Sequence, residues 1–410
     1  MYLSKKTILI SIILVILILG DKNLLLIMNL LSLAVYLAPG KINKSEGKLF
    51  LFLLIPTLTA LAAGILYYPI YDILKDLYYL LNPVLFLILG LQIAKKVELK
   101  ILLKAIVIIG TLFSVYHIFI VFSSFGIIAF QDFRQVRDAE GGGHIITIIA
   151  MVICISSIYF YKREIFSSIK ITIVAIVLNG LSFLFAGSRT FWLIFLVLML
   201  CTTYDLYKDR IWLLITSSLL IVFFLVVFLS RNQENEFAKS ILNSSTELSV
   251  GDYSNLSEMN AKYRGWESYR AFFTFVEGKP FQIIIGHGAG KMIDLGTYFY
   301  LAGDYRRYIP VLHNGYMYAL VKTGIIGLLC NLIYFIYVLR YASKNNSFID
   351  TKSNFLPLLL IGLIISIFIS NIVVAGLYNP ALELLGLLCG SVFYYIYSFR
   401  NEPVTIENKI

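Results

Sequence analysis

The sequence predicts an all-α polytopic membrane protein with about twelve transmembrane helices and one long extracytoplasmic loop. Hydrophobic residues make up 59% of the 410 residues and charged residues only 14%, whereas charged residues form about a quarter of a soluble domain. The mean hydropathy is +0.83, and most apolar residues fall into runs of about 20, the length that spans a bilayer. One long polar interval interrupts them, from Arg231 to Pro310.

The apolar runs place the helices in chain order. We expect them at residues 5–20, 24–39, 49–67, 77–94, 101–123, 144–161, 168–186, 189–207, 211–230, 312–339, 355–376 and 380–399. The chain then divides into an N-terminal bundle of about nine helices (1–230), a polar segment (231–311) and about three C-terminal helices (312–410).

Lysine and arginine in the short loops predict the orientation. One set of alternate loops carries 19 of them and the opposite set carries 5. Because cytoplasmic loops are enriched in positive charge, both termini are expected inside and the polar segment outside, across a cytoplasmic (inner) membrane. The same distribution explains the formal charge of +10 without nucleic acid as a partner.

Several arginines violate this bias, because they lie on the predicted outer side. Topology does not require them there, and the planar arginine fork binds phosphate in a bidentate manner. They therefore favour an anionic head group or a pyrophosphate as ligand, with pairing to nearby acidic residues as the alternative for each one. The candidates are Arg134, Arg137, Arg189, Arg264 and Arg270.

Residues 261–277 predict an amphipathic helix within the polar segment. At 100° per residue, Trp266, Tyr269, Phe272, Phe273 and Val276 gather on one face, with Arg264, Glu267 and Arg270 on the other. The apolar face is expected to dock on the helix bundle or on lipid, leaving the arginines available.

A glycine-rich run follows this helix at residues 286–291. It does not fit a phosphate-binding loop, which requires glycine at position 285 and Ser or Thr at 292, where the chain has Ile285 and Met292. We interpret it as a tight turn that brings the backbone close to another part of the chain.

Histidine is the usual general base near neutral pH, and His313 begins the helix after the polar segment. His144 is a second candidate at an outer helix start, whereas His117 is interpreted as a core residue. Within the membrane, Lys322 either pairs with Glu383 or lines a cavity for a lipid phosphate. No cluster of carboxylates, cysteines and histidines with metal-ligand spacing is visible.

The order of these features resembles the O-antigen polymerase and O-antigen ligase superfamily, membrane glycosyltransferases of the GT-C class. The resemblance is sharpest from about residue 187 to residue 327. It rests on the following residues: Gly187-Ser188-Arg189, Arg264-Gly265-Trp266, Gly286 to Gly290, His313-Asn314-Gly315-Tyr316, Gly324 and Gly327.

The resemblance implies an enzyme without metal or other cofactor. It would take an oligosaccharide from undecaprenyl pyrophosphate at the outer face of the cytoplasmic membrane and build O-antigen or capsular polysaccharide. Arg189 and Arg264 would bind the pyrophosphate and His313 would activate the acceptor hydroxyl, with Ser188, Asn314, Tyr316 and Lys322 as further site candidates. Membrane lipids and a regulator of chain length are candidate partners.

Three alternatives to a polymerase stay open. A ligase would transfer the glycan to lipid A-core, and a lipid-linked oligosaccharide flippase would also have about twelve helices. A sensor or assembly partner without catalysis would leave Arg189 and His313 dispensable. Clustering of the cations at one membrane face, beside a long loop, favours the enzyme over the flippase.

Overall fold

The computed structural model describes residues 44–130, 136, 145–160, 168–207, 244–301, 303–346 and 355–401, with residues 10, 12, 14 and 15. The predicted helices 24–39 and 211–230, and most of 5–20, lie outside the described residues, and the domain boundaries stay a prediction.

The described residues form long apolar helices where hydropathy predicts them. Seven helices there are long and apolar enough to cross a membrane, and two shorter apolar helices accompany them. This confirms an all-α polytopic membrane protein. The nine are α1 (Lys44–Tyr67), α2 (Ile70–Lys96), α3 (Leu99–Phe125), α4 (Ile145–Phe160), α5 (Ile169–Ala186), α6 (Arg189–Thr202), α9 (Gly315–Asn346), α10 (Phe355–Val374) and α11 (Glu383–Asn401). Single turns follow α3 at Gly126–Phe130, follow α6 at Tyr204–Tyr207 and precede α11 at Pro380–Leu382.

Small residues bring α2 and α11 into close contact. A Cβ atom placed on Gly90 would lie 1.9 Å from the carbonyl oxygen of Leu387, and one on Gly390 would lie 2.2 Å from that of Leu87. The Ser391 hydroxyl donates to the Gly90 carbonyl at 2.9 Å. Close backbone approach and a polar contact are the usual means of joining helices in a membrane, where lipid removes the hydrophobic driving force between them.

Polar side chains join α3 to α5. His117 is buried, and its Nδ1 lies 2.9 Å from the Ser182 hydroxyl. Asn179 accepts a hydrogen bond from Ser114 at 2.9 Å. The interpretation of His117 as a hydrogen-bonded core residue is confirmed.

The described part of the polar segment, from residue 244 onward, folds into short helices and a β-hairpin. A turn at Ser244–Glu247 and a short helix at Leu256–Ala261 precede α7 (Tyr263–Val276), α8 (Pro280–Ile285), β1 (Ile293–Leu301) and β2 (Asp304–Ile309). The strands pair antiparallel, with Tyr300 opposite Tyr305 and a bulge between Asp294 and Phe299. This hairpin was not predicted from the sequence. The bulge interrupts the alternation of apolar and polar residues on which strand prediction depends.

Helix α7 confirms the predicted amphipathic helix but buries a different face. Trp266 is buried as expected, whereas Phe272, Phe273 and Val276 are 42–52% exposed. Glu267, assigned to the polar face, is only 1% exposed. The apolar face is therefore packed on the protein only in part, and its C-terminal part is exposed. Docking of that part on lipid stays a prediction.

The glycine turn anchors the polar segment to the bundle. The φ angles of Gly286, Gly288 and Gly290 are 87°, 94° and 95°, a region that other residues rarely adopt. Backbone N–H groups of the turn donate to Val321, Lys322 and Ala60 carbonyls at 2.8–3.1 Å. This confirms the predicted tight turn, and it agrees with rejecting a phosphate loop, because these donors are already satisfied by the protein.

Candidate active site

The Arg189 side chain is presented at the junction of two helices. Helix α5 ends at Gly187, whose φ of 56° reverses the chain. The Ser188 hydroxyl then accepts a hydrogen bond from the Phe191 N–H and caps α6. Ser188 thus acts as a helix cap, and it fixes the backbone from which Arg189 projects.

Arg264 reaches the same place from the first turn of α7. Its neighbour Gly265 lies against the backbone of Ser249, so that a Cβ atom at position 265 would be 1.7 Å from the Ser249 carbonyl oxygen. No other residue allows this approach without a shift of the backbone. The glycine therefore allows the segment that carries Glu247 to pack against α7.

The two arginines converge on the carboxylate of Glu247. Nη2 of Arg189 lies 2.8 Å from one carboxylate oxygen, and Nε of Arg264 lies 3.2 Å from the other. The three side chains are between 22% and 30% exposed, so the cluster is open to solvent. Two cations that hold the two oxygens of one anion form a geometry suited to a phosphate.

His313 contacts a second carboxylate, that of Glu267. The backbone N–H of His313 donates to Oε2 of Glu267 at 2.9 Å, and Nδ1 of the ring lies 3.1 Å from the same oxygen. Glu267 is 1% exposed and the His313 side chain is 47% exposed. The imidazole is therefore held on its buried side and accessible on the other.

Neighbouring residues fix this pair in place. The Asn314 side chain accepts hydrogen bonds from the Tyr316 and Met317 N–H groups at 3.0 and 3.2 Å, which caps α9. Its amide also donates to the Ser268 hydroxyl at 3.5 Å. The ring of Tyr263 meets the His313 ring edge-on at 6.0 Å. Burial, and then the Glu267 charge, raise the pKa of Tyr263, so its hydroxyl stays protonated.

Arg270 lies in a different setting from the first two arginines. Its Nε donates to the Asp294 carbonyl at 2.8 Å, and its guanidinium lies over the rings of Trp266 and Phe273. These contacts join α7 to β1. Its predicted role in pyrophosphate binding stays a prediction, as do those of Arg134, Arg137 and His144, which lie outside the described residues.

The remaining candidates make contacts within the bundle. The Tyr316 hydroxyl donates to the Phe368 carbonyl at 2.8 Å. Lys322 is fully buried and pairs with Asp76, which also accepts from the Gly290 N–H at 2.6 Å. The alternative of a pair with Glu383 is wrong, because the Lys322 amine instead contacts Asp76 and the Lys291 carbonyl. Glu383 accepts a hydrogen bond from Asn82. The structure thus favours a structural role for Lys322 over a phosphate cavity.

Sequence reasoning missed three acidic residues of these clusters: Glu247, Glu267 and Asp76. They meet Arg189, His313 and Lys322 at separations of 58, 46 and 246 residues. Arg264, the second partner of Glu247, is nearer in the chain. Only Glu267 carried a local signal, since it lies one helical turn after Arg264. Among the described residues, no three His, Cys, Asp or Glu side chains group as a metal site requires.

A model of the family described as O-antigen ligase matches residues 174–332. This range runs from α5 into α9 and includes Arg189, Arg264, Glu267 and His313. The match confirms the resemblance to the O-antigen polymerase and ligase superfamily. The chain matches no curated protein.

Proposed function

We propose that this chain, which carries a domain of the O-antigen polymerase and ligase superfamily at residues 174–332, is a polysaccharide polymerase. It transfers an oligosaccharide from undecaprenyl pyrophosphate to a hydroxyl of another lipid-linked repeat unit. The reaction takes place at the outer face of the cytoplasmic membrane and uses no metal ion.

The observation that carries the proposal is the convergence of Arg189 and Arg264 on one carboxylate. They come from separate elements, and in this proposal a phosphate of the donor takes the place of the carboxylate that they hold. As the bond between the sugar and the pyrophosphate breaks, the leaving pyrophosphate takes the bonding electron pair. Fixed cations stabilise that developing charge, which is the work that a divalent ion does in other transferases.

His313 supplies the other half of the reaction. The oxygen of the acceptor hydroxyl attacks the anomeric carbon, and its proton passes to the imidazole. General-base catalysis of this kind contributes about 10²- to 10⁴-fold to the rate. Arg264 and Glu267 lie one helical turn apart on α7, where side chains are neighbours about 5–6 Å apart at Cβ. The anion clamp and the base are therefore adjacent.

A ligase is the second candidate, because the matching family is described as O-antigen ligase. It would use the same clamp and base, and only the acceptor would change, to lipid A-core. The flippase alternative loses support, since its substrate needs no base and the matched family is one of transferases.

The test uses the purified full-length chain in detergent, with a lipid-linked repeat unit and a metal chelator. Products are separated on a gel for wild type, His313→Ala, Arg264→Ala and the control Arg306→Ala, an exposed arginine of the hairpin that is 3.9 Å from Asp304. A ladder of products that only His313→Ala and Arg264→Ala abolish supports the polymerase. Transfer only onto added lipid A-core supports the ligase, and no transfer to either acceptor overturns the proposal.

A further inference from the structure

The His313 imidazole is held by Glu267, a carboxylate that was expected on the polar face of the amphipathic helix. Both Glu267 oxygens lie within 3.3 Å of Nδ1, and one of them also accepts from the His313 backbone N–H at 2.9 Å. The carboxylate is buried, so these contacts are made away from bulk water. A residue that binds both the backbone and the ring of a candidate base controls where that ring points.

We infer that Glu267 is the positioning residue of the reaction, which holds the His313 ring with its proton on Nδ1 and its lone pair on Nε2. The inference deepens the proposed function and rests on it for the role of His313 as base. Glu267 touches no substrate in this scheme; it acts through His313.

The tautomer follows from the chemistry of the two groups. A carboxylate only accepts hydrogen bonds, and a neutral imidazole donates from one nitrogen and accepts at the other. Since Nδ1 faces Glu267, the contact requires the proton on Nδ1. Nε2 is then the acceptor, and it is the nitrogen that can take a proton from an incoming hydroxyl.

The same contact stabilises the product of the proton transfer. When Nε2 accepts the acceptor proton, the ring becomes a cation with its Nδ1–H directed at a buried negative charge. Hydrogen bonds between ionised partners are about twice as strong as neutral ones. Glu267 is therefore in contact with the nitrogen that keeps its proton throughout the transfer.

Two further contacts support this orientation of the ring. Asn314 joins the start of α9 to Ser268 of α7, next to Glu267. The Tyr263 ring packs against the His313 ring from the first turn of α7. The base is thus fixed by α7 before any substrate arrives, which is what lowers the cost of reaching the transition state.

Glutamine at position 267 tests the inference because it preserves size but changes the donor pattern. Its carbonyl oxygen can keep the His313 N–H bond while its amide donates to Nδ1, which favours the opposite tautomer. We expect Glu267→Gln to lower kcat by about 10²- to 10⁴-fold, as in other histidine–carboxylate pairs. KM for the donor should stay within about threefold, since the anion clamp is intact. The matched control is Glu277→Gln, an exposed residue at the end of the same helix.

A spectroscopic measurement separates this inference from the proposed function. The chain has only four histidines, so ¹⁵N NMR of the histidine-labelled full-length protein in detergent can assign them by substitution. Wild type should show an unprotonated Nε2 on His313, and Glu267→Gln should show an unprotonated Nδ1. If Glu267→Gln does not fold, the wild-type spectrum alone decides the tautomer.

The outcomes are distinct. A wild-type His313 with its proton on Nε2, or a Glu267→Gln protein that keeps kcat within about threefold of wild type, overturns the positioning role. Failure of wild type to transfer to any acceptor overturns the proposed function, whereas the wild-type tautomer still supports or refutes the orientation by Glu267.

Discussion

Replacing Glu247 with glutamine is expected to tighten the binding of a lipid pyrophosphate. The Glu247 carboxylate holds both arginines that are proposed to bind the donor, at 2.8 and 3.2 Å. A pyrophosphate that enters this clamp must displace it. Glutamine keeps the size of the side chain but removes its charge, so the donor meets a weaker competitor.

The size of the expected gain in affinity follows from the exposure of Arg189, Arg264 and Glu247. These three side chains are 22–30% exposed, so solvent screens both ion pairs. Pairs at such sites contribute about 0.2–1 kcal/mol each, and the two together about 0.4–2 kcal/mol. Since about 1.4 kcal/mol is tenfold in affinity, Kd for the lipid pyrophosphate should fall by about 2- to 30-fold.

The assay is calorimetric titration of the detergent-solubilised full chain with a short-chain polyprenyl pyrophosphate. Glu277→Gln serves as the charge-matched control and should bind like wild type. In the double variant Glu247→Gln/Arg264→Ala the gain should disappear. Unchanged or weaker binding by Glu247→Gln, or a gain that survives the loss of Arg264, would refute the reasoning that Glu247 occupies the phosphate site.

Three further predictions address the clamp and its support. Arg189→Lys keeps the charge but loses the planar fork, so transfer should fall roughly tenfold or more; near-full activity in the gel assay would sink the role of Arg189. Gly265→Ala forces a clash with the facing backbone and should lower the free energy of unfolding by roughly 1–3 kcal/mol. Thermal unfolding of the protein in detergent measures this change. Gly47→Ala, with open space around its Cβ, should be neutral by comparison. Replacing Asp76 or Lys322 alone should lower the free energy of unfolding by about 3–5 kcal/mol, because it leaves a buried charge unpaired. The double variant Asp76→Leu/Lys322→Met should lose less stability than either single variant. Equal stability of the two single variants and the double variant would show that this pair does not stabilise the glycine turn.

The helices could be predicted because the residues that determine each one are neighbours in the sequence. Residues 168–186 and 355–376 were expected to be helical, and the structure has Ile169–Ala186 and Phe355–Val374. Bilayer length and hydropathy suffice for such segments. The predicted amphipathic helix 261–277 is likewise close to the observed Tyr263–Val276.

The acidic partners could not be predicted in this way. A helical periodicity assigns Glu267 to a polar face, and it gives no reason to expect a histidine 46 residues later on that face. A pair with Glu383 was one of two alternatives for Lys322, whereas the fold brings Asp76 of α2 to it. Such choices depend on which helices pack together, and composition does not contain that information.

Helix α7 connects the proposed anion clamp with the proposed base. Arg264 and Glu267 lie one turn apart on it, so the proposed donor binding and the orientation of His313 depend on the same element. The helix is tied to α9 through His313 and to the hairpin through Trp266, whose indole N–H donates to the Leu295 carbonyl at 3.0 Å. A displacement of α7 would move the clamp and the base together. A substitution that loosens the packing of α7 should therefore weaken donor binding and proton transfer in parallel. By contrast, Glu247→Gln should change only donor binding, and Glu267→Gln should change only proton transfer.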